Sequence, residues 1–286
     1  VEPVLLKTGQ IIRRTLTAGA LCAALLALAA CETAVPSEQV AERLNNPAAD
    51  PRNNIASISA VLAKNPRDAN ALNLRGTAYG QAGEYDKAIG DFSAAIQINP
   101  QFYQAYNNRA LIHLRQGGLA AAMSDYNQAI SIKPDYAAAY VGRGNVYKEE
   151  KNFSAAVADF GKAIELKPDD PAAYYSRGMI YQAMNDNRAA IDDLSVAVGY
   201  RPDSPDPHYA RGVSYMAVQD YKKALEDFQI AGTNKVNNYE AWANAGQAAE
   251  SLGDRAQAAQ AYRRALQINS SSSVAYEGLR RMGGDA

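Results

Sequence analysis

The chain has 286 residues, of which 29 are basic and 30 acidic, for a formal net charge of −1. A balance this even provides no basic footprint for a phosphate backbone, so nucleic acid is not an expected partner. With 48% hydrophobic and 21% charged residues, the composition is that of a globular chain, not of a disordered one.

Lys7, Arg13 and Arg14 precede an apolar stretch of 16 residues from Thr15 to Ala30. That is short of the ~20 residues a helix needs to span a bilayer, so residues 1–30 are read as an export signal. The stretch ends Leu28-Ala29-Ala30-Cys31, which resembles the lipobox of bacterial lipoproteins. The resemblance implies cleavage before Cys31 and attachment of diacylglycerol to its thiol; an ordinary secretory signal beside a chance cysteine is the alternative. Cleavage removes Glu2, Lys7, Arg13 and Arg14, so the charge moves from −1 to −3. Cys22 leaves with the signal. Cys31 is then the sole cysteine, and no intramolecular disulfide can form. Glu32 follows the lipidated position; the resemblance implies the periplasmic face of the outer membrane, because aspartate at that position is the usual signal for retention in the inner membrane.

Residues 31–51, with Pro36, Pro47 and Pro51, read as a tether. At ~3.3 Å per residue, about twenty residues reach at most ~65 Å. Residues 52–68 carry Ile55, Ile58, Val61 and Leu62 at helical spacing and end on Asn65-Pro66. They read as the second helix of a degenerate first block, covering an apolar end.

From there one interval governs the chain. Pro66, Pro100, Pro134, Pro168 and Pro202 stand 34 residues apart, and the blocks 69–102, 103–136, 137–170, 171–204, 205–238 and 239–272 follow this period. Block position 8 is small (Gly76, Ala110, Gly144, Gly178, Gly212, Gly246), and positions 20 and 27 are always alanine. Rings stand at position 4 (Tyr106, Tyr140, Tyr174, Trp242) and position 24 (Phe92, Tyr126, Phe160, Phe228, Tyr262). Small residues let two helices approach, and rings fill the remaining space, so each block is a pair of antiparallel helices stacked on the next. Period and pattern resemble the tetratricopeptide repeat (TPR). The resemblance implies an all-α, right-handed solenoid with a concave groove that holds a peptide or helix of another protein.

Position 7 is Arg75, Arg109, Arg143, Arg177 and Arg211, while position 23 is Asp91, Asp125, Asp159, Asp193 and Asp227. Both lie eight residues from the turn, hence at one height on facing helices. The sixth block replaces both at once, by Ala245 and Ala261, which predicts pairing within each block. A ligand-binding stripe of arginines is the competing reading. In the fifth block, positions 28 and 30 are Gly232 and Asn234 instead of apolar residues, so its second helix is expected to stop early. Residues 273–286 begin a further first helix that ends at Gly283-Gly284, a capping helix and tail.

There is no catalytic constellation: no HExxH, no GxSxG, no phosphate-cradling glycine loop. His113 and His208 stand where other blocks carry rings and read as packing substitutes. No enzyme, metal or cofactor is expected. In TPR proteins positions 2, 5, 9 and 12 of each first helix face inward, which here implies a groove of Asn73, Asn107, Asn145, Lys148, Tyr175, Gln182 and Tyr209. Amides suit a peptide backbone and tyrosines give rigid area with a polar tip; a merely solvated face is the alternative. The architecture resembles NlpI-type TPR lipoproteins, which implies a membrane-anchored adaptor for protein partners in envelope or peptidoglycan maintenance. It also resembles the pilotin lipoproteins that assist a secretin of type IV pilus or secretion systems. Homo-oligomerisation is left open.

Overall fold

A computed structural model describes residues 51–283. The signal segment, Cys31, nearly all of the tether and the last three residues lie outside that range. Among the described residues there are 14 helices, and each packs against the next in sequence. We number them α1 (Pro51–Lys64), α2 (Ala69–Gln81), α3 (Tyr85–Ile98), α4 (Tyr103–Arg115), α5 (Leu119–Ile132), α6 (Ala137–Glu149), α7 (Phe153–Leu166), α8 (Pro171–Ala183), α9 (Asn187–Tyr200), α10 (Pro205–Ala217), α11 (Tyr221–Asn234), α12 (Tyr239–Ser251), α13 (Arg255–Ile268) and α14 (Ser273–Arg281). Every block thus contributes a first helix of 13 residues and a second of 14.

Local chemistry sets the boundaries. Side chains of Asp68, Asn152, Asp170, Asp186, Asp220, Asn238, Asp254 and Ser272 accept hydrogen bonds from backbone N–H groups of the first turn that have no partner inside the helix. Pro171 and Pro205 open α8 and α10, where a missing N–H costs nothing. Within each block the two helices are joined by a residue in the left-handed region. It is Gly83, Gly117 and Gly253 in three blocks, but Lys151 (φ 57°), Asn185 (φ 62°) and Gln219 (φ 63°) in the others.

The core repeats with the period. Position 8 must be small because the ring of position 24 lies on it: a Cβ on Gly76 would stand 2.8 Å from Phe92, and one on Gly212 2.8 Å from Phe228. Where position 24 is tyrosine, the longer ring also presses on the next block. A Cβ on Gly142 would lie 2.2 Å from Tyr126, and one on Gly278 2.2 Å from Tyr262. Glycine at position 6 therefore follows tyrosine at position 24, while Asn108, Ser176 and Asn244 follow the phenylalanines.

The first helices touch one another from block to block, as α2 with α4, α4 with α6, α6 with α8 and α8 with α10, whereas second helices are separated by first helices. At the N-terminal end α1 buries Ile58 and Leu62 against α2. At the other end α14 buries Ala275 and Leu279, and its Arg281 pairs with Glu250 of α12 at 2.7 Å. The expected early stop of α11 is not found: it runs to Asn234 like its counterparts. Gly232 is there because Trp242 of the next block lies on it. A Cβ would stand 2.7 Å from that indole, whose Nε1 donates to the Gly232 carbonyl at 3.1 Å.

Candidate functional site

The arginines and aspartates of positions 7 and 23 meet inside their own blocks. In Arg75–Asp91, Arg109–Asp125, Arg143–Asp159, Arg177–Asp193 and Arg211–Asp227, Nε and one terminal nitrogen each donate to a carboxylate oxygen at 2.7–2.8 Å. The remaining guanidinium nitrogen of four of them reaches the preceding block, at Ser59, Ser93, Asn127 and Ser195. Arg177 faces Gly161 instead. Each aspartate is buried, and its hydrogen bonds raise the arginine pKa still further, against the opposing effect of burial. With two nitrogens of each guanidinium on an enclosed carboxylate, and the third in four of the five on the preceding block, these arginines hold helix pairs together; they do not present a stripe of open charge.

His208 does more than fill the place of a ring. It is buried; its Nδ1 lies 2.7 Å from Asp227 Oδ1 and its Nε2 lies 2.9 Å from the Pro202 carbonyl. Asp227 therefore holds both Arg211 and His208. His113 stands 4.0 Å from Asp125.

Along the first helices, the expected groove residues divide into three groups. Near the start, Asn108 Nδ2 donates to Asn73 Oδ1 at 3.0 Å, and Asn107 Nδ2 donates to Asn108 Oδ1 at 3.3 Å. Asn107 Oδ1 is left as the one buried side-chain nitrogen or oxygen without a partner among the described residues. In the middle, Asn145 and Lys148 make no hydrogen bond to the other candidates, and Lys148 lies 3.4 Å from Glu149. Further on, Tyr175 lines a cavity of about 200 Å³ between the start of α8, the end of α9 and the start of α10, with Arg201, Asp206 and Pro207. Desolvation, with Asp206 adding to it, raises the Tyr175 pKa and keeps the hydroxyl protonated.

Two candidates are committed to the fold. Gln182 Nε2 donates to the Ala210 carbonyl at 2.7 Å and to Ser214 Oγ at 2.6 Å, tying α8 to α10. The Tyr209 ring packs on Phe228 at 5.7 Å, and its hydroxyl accepts from Asn244 Nδ2 at 3.0 Å. The partners Asn108, Ser214 and Asn244 escaped the sequence reading. For Asn108 and Asn244 the signal was an amide at position 6, one residue past the inward-facing position 5, in blocks two and six; Ser214, at position 10, carried none.

Among the described residues no helix is long and apolar enough to cross a membrane, and no group of acidic, histidine and cysteine side chains could hold a metal.

Comparison with known proteins agrees with this architecture. Tetratricopeptide repeat families match residues 49–101, 74–137, 175–235 and 239–272, and a TPR repeat family matches residues 144–185. No curated protein matches the chain. Among solved structures, YrrB, described as a TPR protein with an unusual peptide-binding site, is 22% identical, with a TM-score of 0.59 over 66% of this chain and 97% of that one. PilF of Pseudomonas aeruginosa is 17% identical, with a TM-score of 0.66 over 76% of this chain and 99% of its own. The C-terminal part of a TPR repeat-containing protein from Cytophaga hutchinsonii is 18% identical, with a TM-score of 0.64 over 85% and 99%. At these identities the likeness is one of fold. Helix pairs on a 34-residue period, small residues under rings and family matches along most of the chain lead to one statement: the chain belongs to the tetratricopeptide repeat family.

Proposed function

We propose that this chain is a non-enzymatic, lipid-anchored scaffold of the bacterial envelope that holds protein partners by an extended segment laid along its first helices. The observation that carries the binding mode is Asn107 Oδ1, a buried acceptor without a donor beside the Asn73–Asn108 amide pair. An orphaned acceptor costs about 1–3 kcal/mol, a cost that a peptide N–H would relieve. YrrB, described as having a peptide-binding site, supports the same use of the fold. The anchor rests on Leu28-Ala29-Ala30-Cys31 behind a basic and apolar segment, and Glu32 favours the periplasmic face of the outer membrane. Partners in envelope or peptidoglycan maintenance follow from that location.

The test is capture of partners from membranes with the parent protein and with Asn107→Ala and Tyr175→Ala. Neither side chain joins the arginine–aspartate pairs, so both variants should fold and both should lose partners. Unchanged partners at unchanged yield would refute the groove. Cys31→Ser should abolish palmitate labelling and release the protein from membranes; a labelled, membrane-bound variant would refute the anchor. A second reading keeps groove and anchor but makes the chain an assembly factor for a secretin, as the resemblance to pilotin lipoproteins implies. Murein enzymes among the captured proteins support the first reading, a secretin subunit the second.

A further inference from the structure

The arginine–aspartate ladder is interrupted once, and the interruption is a cavity. Arg109, Arg143 and Arg211 lie in the seam between their own second helix and the preceding one, where they reach Ser93, Asn127 and Ser195. In the sixth block the pair is replaced by Ala245 and Ala261, and the seam between α11 and α13 holds a space of about 290 Å³. Gln229, which borders it, occupies the block position of Ser93, Asn127 and Ser195. The space is thus where a guanidinium and a carboxylate stand in the other blocks.

Its walls are not those of a simple packing gap. Trp242 is 7% exposed and is fixed by its Nε1 bond to the Gly232 carbonyl. The guanidinium carbon of Arg264 lies 4.2 Å from the centre of that ring, a cation–π arrangement that leaves the edge donors of the guanidinium available. Among the described residues Arg264 has no carboxylate partner, unlike the arginines of the ladder. Gln257 and Gln260 add amide donors from the same helix. α13 carries Arg255, Arg263 and Arg264 and no acidic residue. Three departures from the repeat fall in or beside this seam: Ala261 lines it, Ala245 replaces the arginine that pairs across it in other blocks, and Gly232 lies under Trp242.

We infer that the seam between α11 and α13 is a second binding site, for a carboxylate held by Arg264 over Trp242. A guanidinium presents paired donors to a carboxylate, and the indole beneath it removes competing water from one side. The space of about 290 Å³ has room for an aspartate or glutamate side chain of a partner or for a free dicarboxylate. A partner arginine is not matched, because Ala261 has replaced the aspartate that would receive it. Apart from Trp242 of α12, the lining residues belong to the second helices α11 and α13, so a ligand here leaves the inner-face positions 2, 5, 9 and 12 of the first helices open.

Trp242 is the sole tryptophan of the chain, so intrinsic tryptophan fluorescence reports on this site alone. The full chain is titrated with hexaglutamate, with succinate and with hexalysine. A saturable change is expected with a carboxylate ligand, at least tenfold weaker in Arg264→Gln and absent with hexalysine. A response to hexaglutamate alone assigns a partner's acidic side chain, and one that succinate reproduces assigns a free acid. The double substitution Ala245→Arg with Ala261→Asp refills the space with the pair of the other blocks. It should abolish the response while melting no lower than the parent, which separates loss of the site from loss of fold. The inference is overturned if no carboxylate changes the fluorescence, if hexalysine does so equally, or if the refilled variant responds like the parent. Asn107→Ala and Tyr175→Ala should leave the response unchanged, so it stands or falls apart from the groove.

Discussion

Arg143→Ala removes two charge-assisted hydrogen bonds to Asp159, at 2.8 Å each, and leaves behind a carboxylate whose side chain is 8% exposed. Stranding a buried charge in this way costs about 3–5 kcal/mol, on the order of 10 °C in melting temperature for a chain of this size. Asp159→Ala should cost less, about 2 kcal/mol, because the guanidinium is 20% exposed and keeps Asn127 Oδ1 at 2.7 Å. The double variant reproduces the uncharged state that Ala245 and Ala261 already occupy, so it should cost less than the two singles together by about 1–3 kcal/mol. The fifth block supplies an internal control. In Arg211→Ala, Asp227 keeps His208 at 2.7 Å, so the loss should be smaller than for Arg143→Ala by about 1.5 kcal/mol, one charge-assisted hydrogen bond. Thermal and urea unfolding followed by far-UV circular dichroism measures all four. Strict additivity of the cycle, or an Arg211→Ala as damaging as Arg143→Ala, would refute the reasoning.

Lys151 holds φ at 57°, a conformation that costs a side-chain-bearing residue about 1–2 kcal/mol; Lys151→Gly should therefore raise the melting temperature despite glycine's added chain entropy, and a lowered one would count against the reading. Gly142→Ala should cost about 1–3 kcal/mol or more because its Cβ would lie 2.2 Å from Tyr126, whereas Gly90→Ala, with nothing within 4 Å, should stabilise α3 by up to ~1 kcal/mol; similar denaturant midpoints for the two would contradict this. Arg281 first, then Tyr262, hold the Glu250 carboxyl below its ordinary value of 4.5 against the opposing effect of burial. A depressed folded value means that the contribution is present above 4.5 and is lost as pH falls through the folded value. Glu250→Gln should lower stability at neutral pH and flatten the acid limb relative to the parent, and parallel pH curves would show that the pair does not contribute.

The sequence by itself determined the repeat and the local structure within it. Small residues at position 8, rings at position 24 and prolines past the helix ends depend on spacing along one helix or across one short hairpin, and spacing is legible in a string. The in-block pairing of Arg143 with Asp159 was legible for a related reason: the sixth block had lost both partners at once. Tertiary structure decided whatever passes between blocks. Gly232 looked like a helix terminator, yet it makes room for Trp242 ten residues on. Gln182 and Tyr209 looked like open groove residues and are tied to Ser214 and Asn244 of the following helices. Gly142 is explained only by Tyr126 of the preceding block. Helix formation is set by neighbours three and four residues apart, but these contacts depend on the angle and offset at which one helix pair is laid on the next, quantities that no single block encodes.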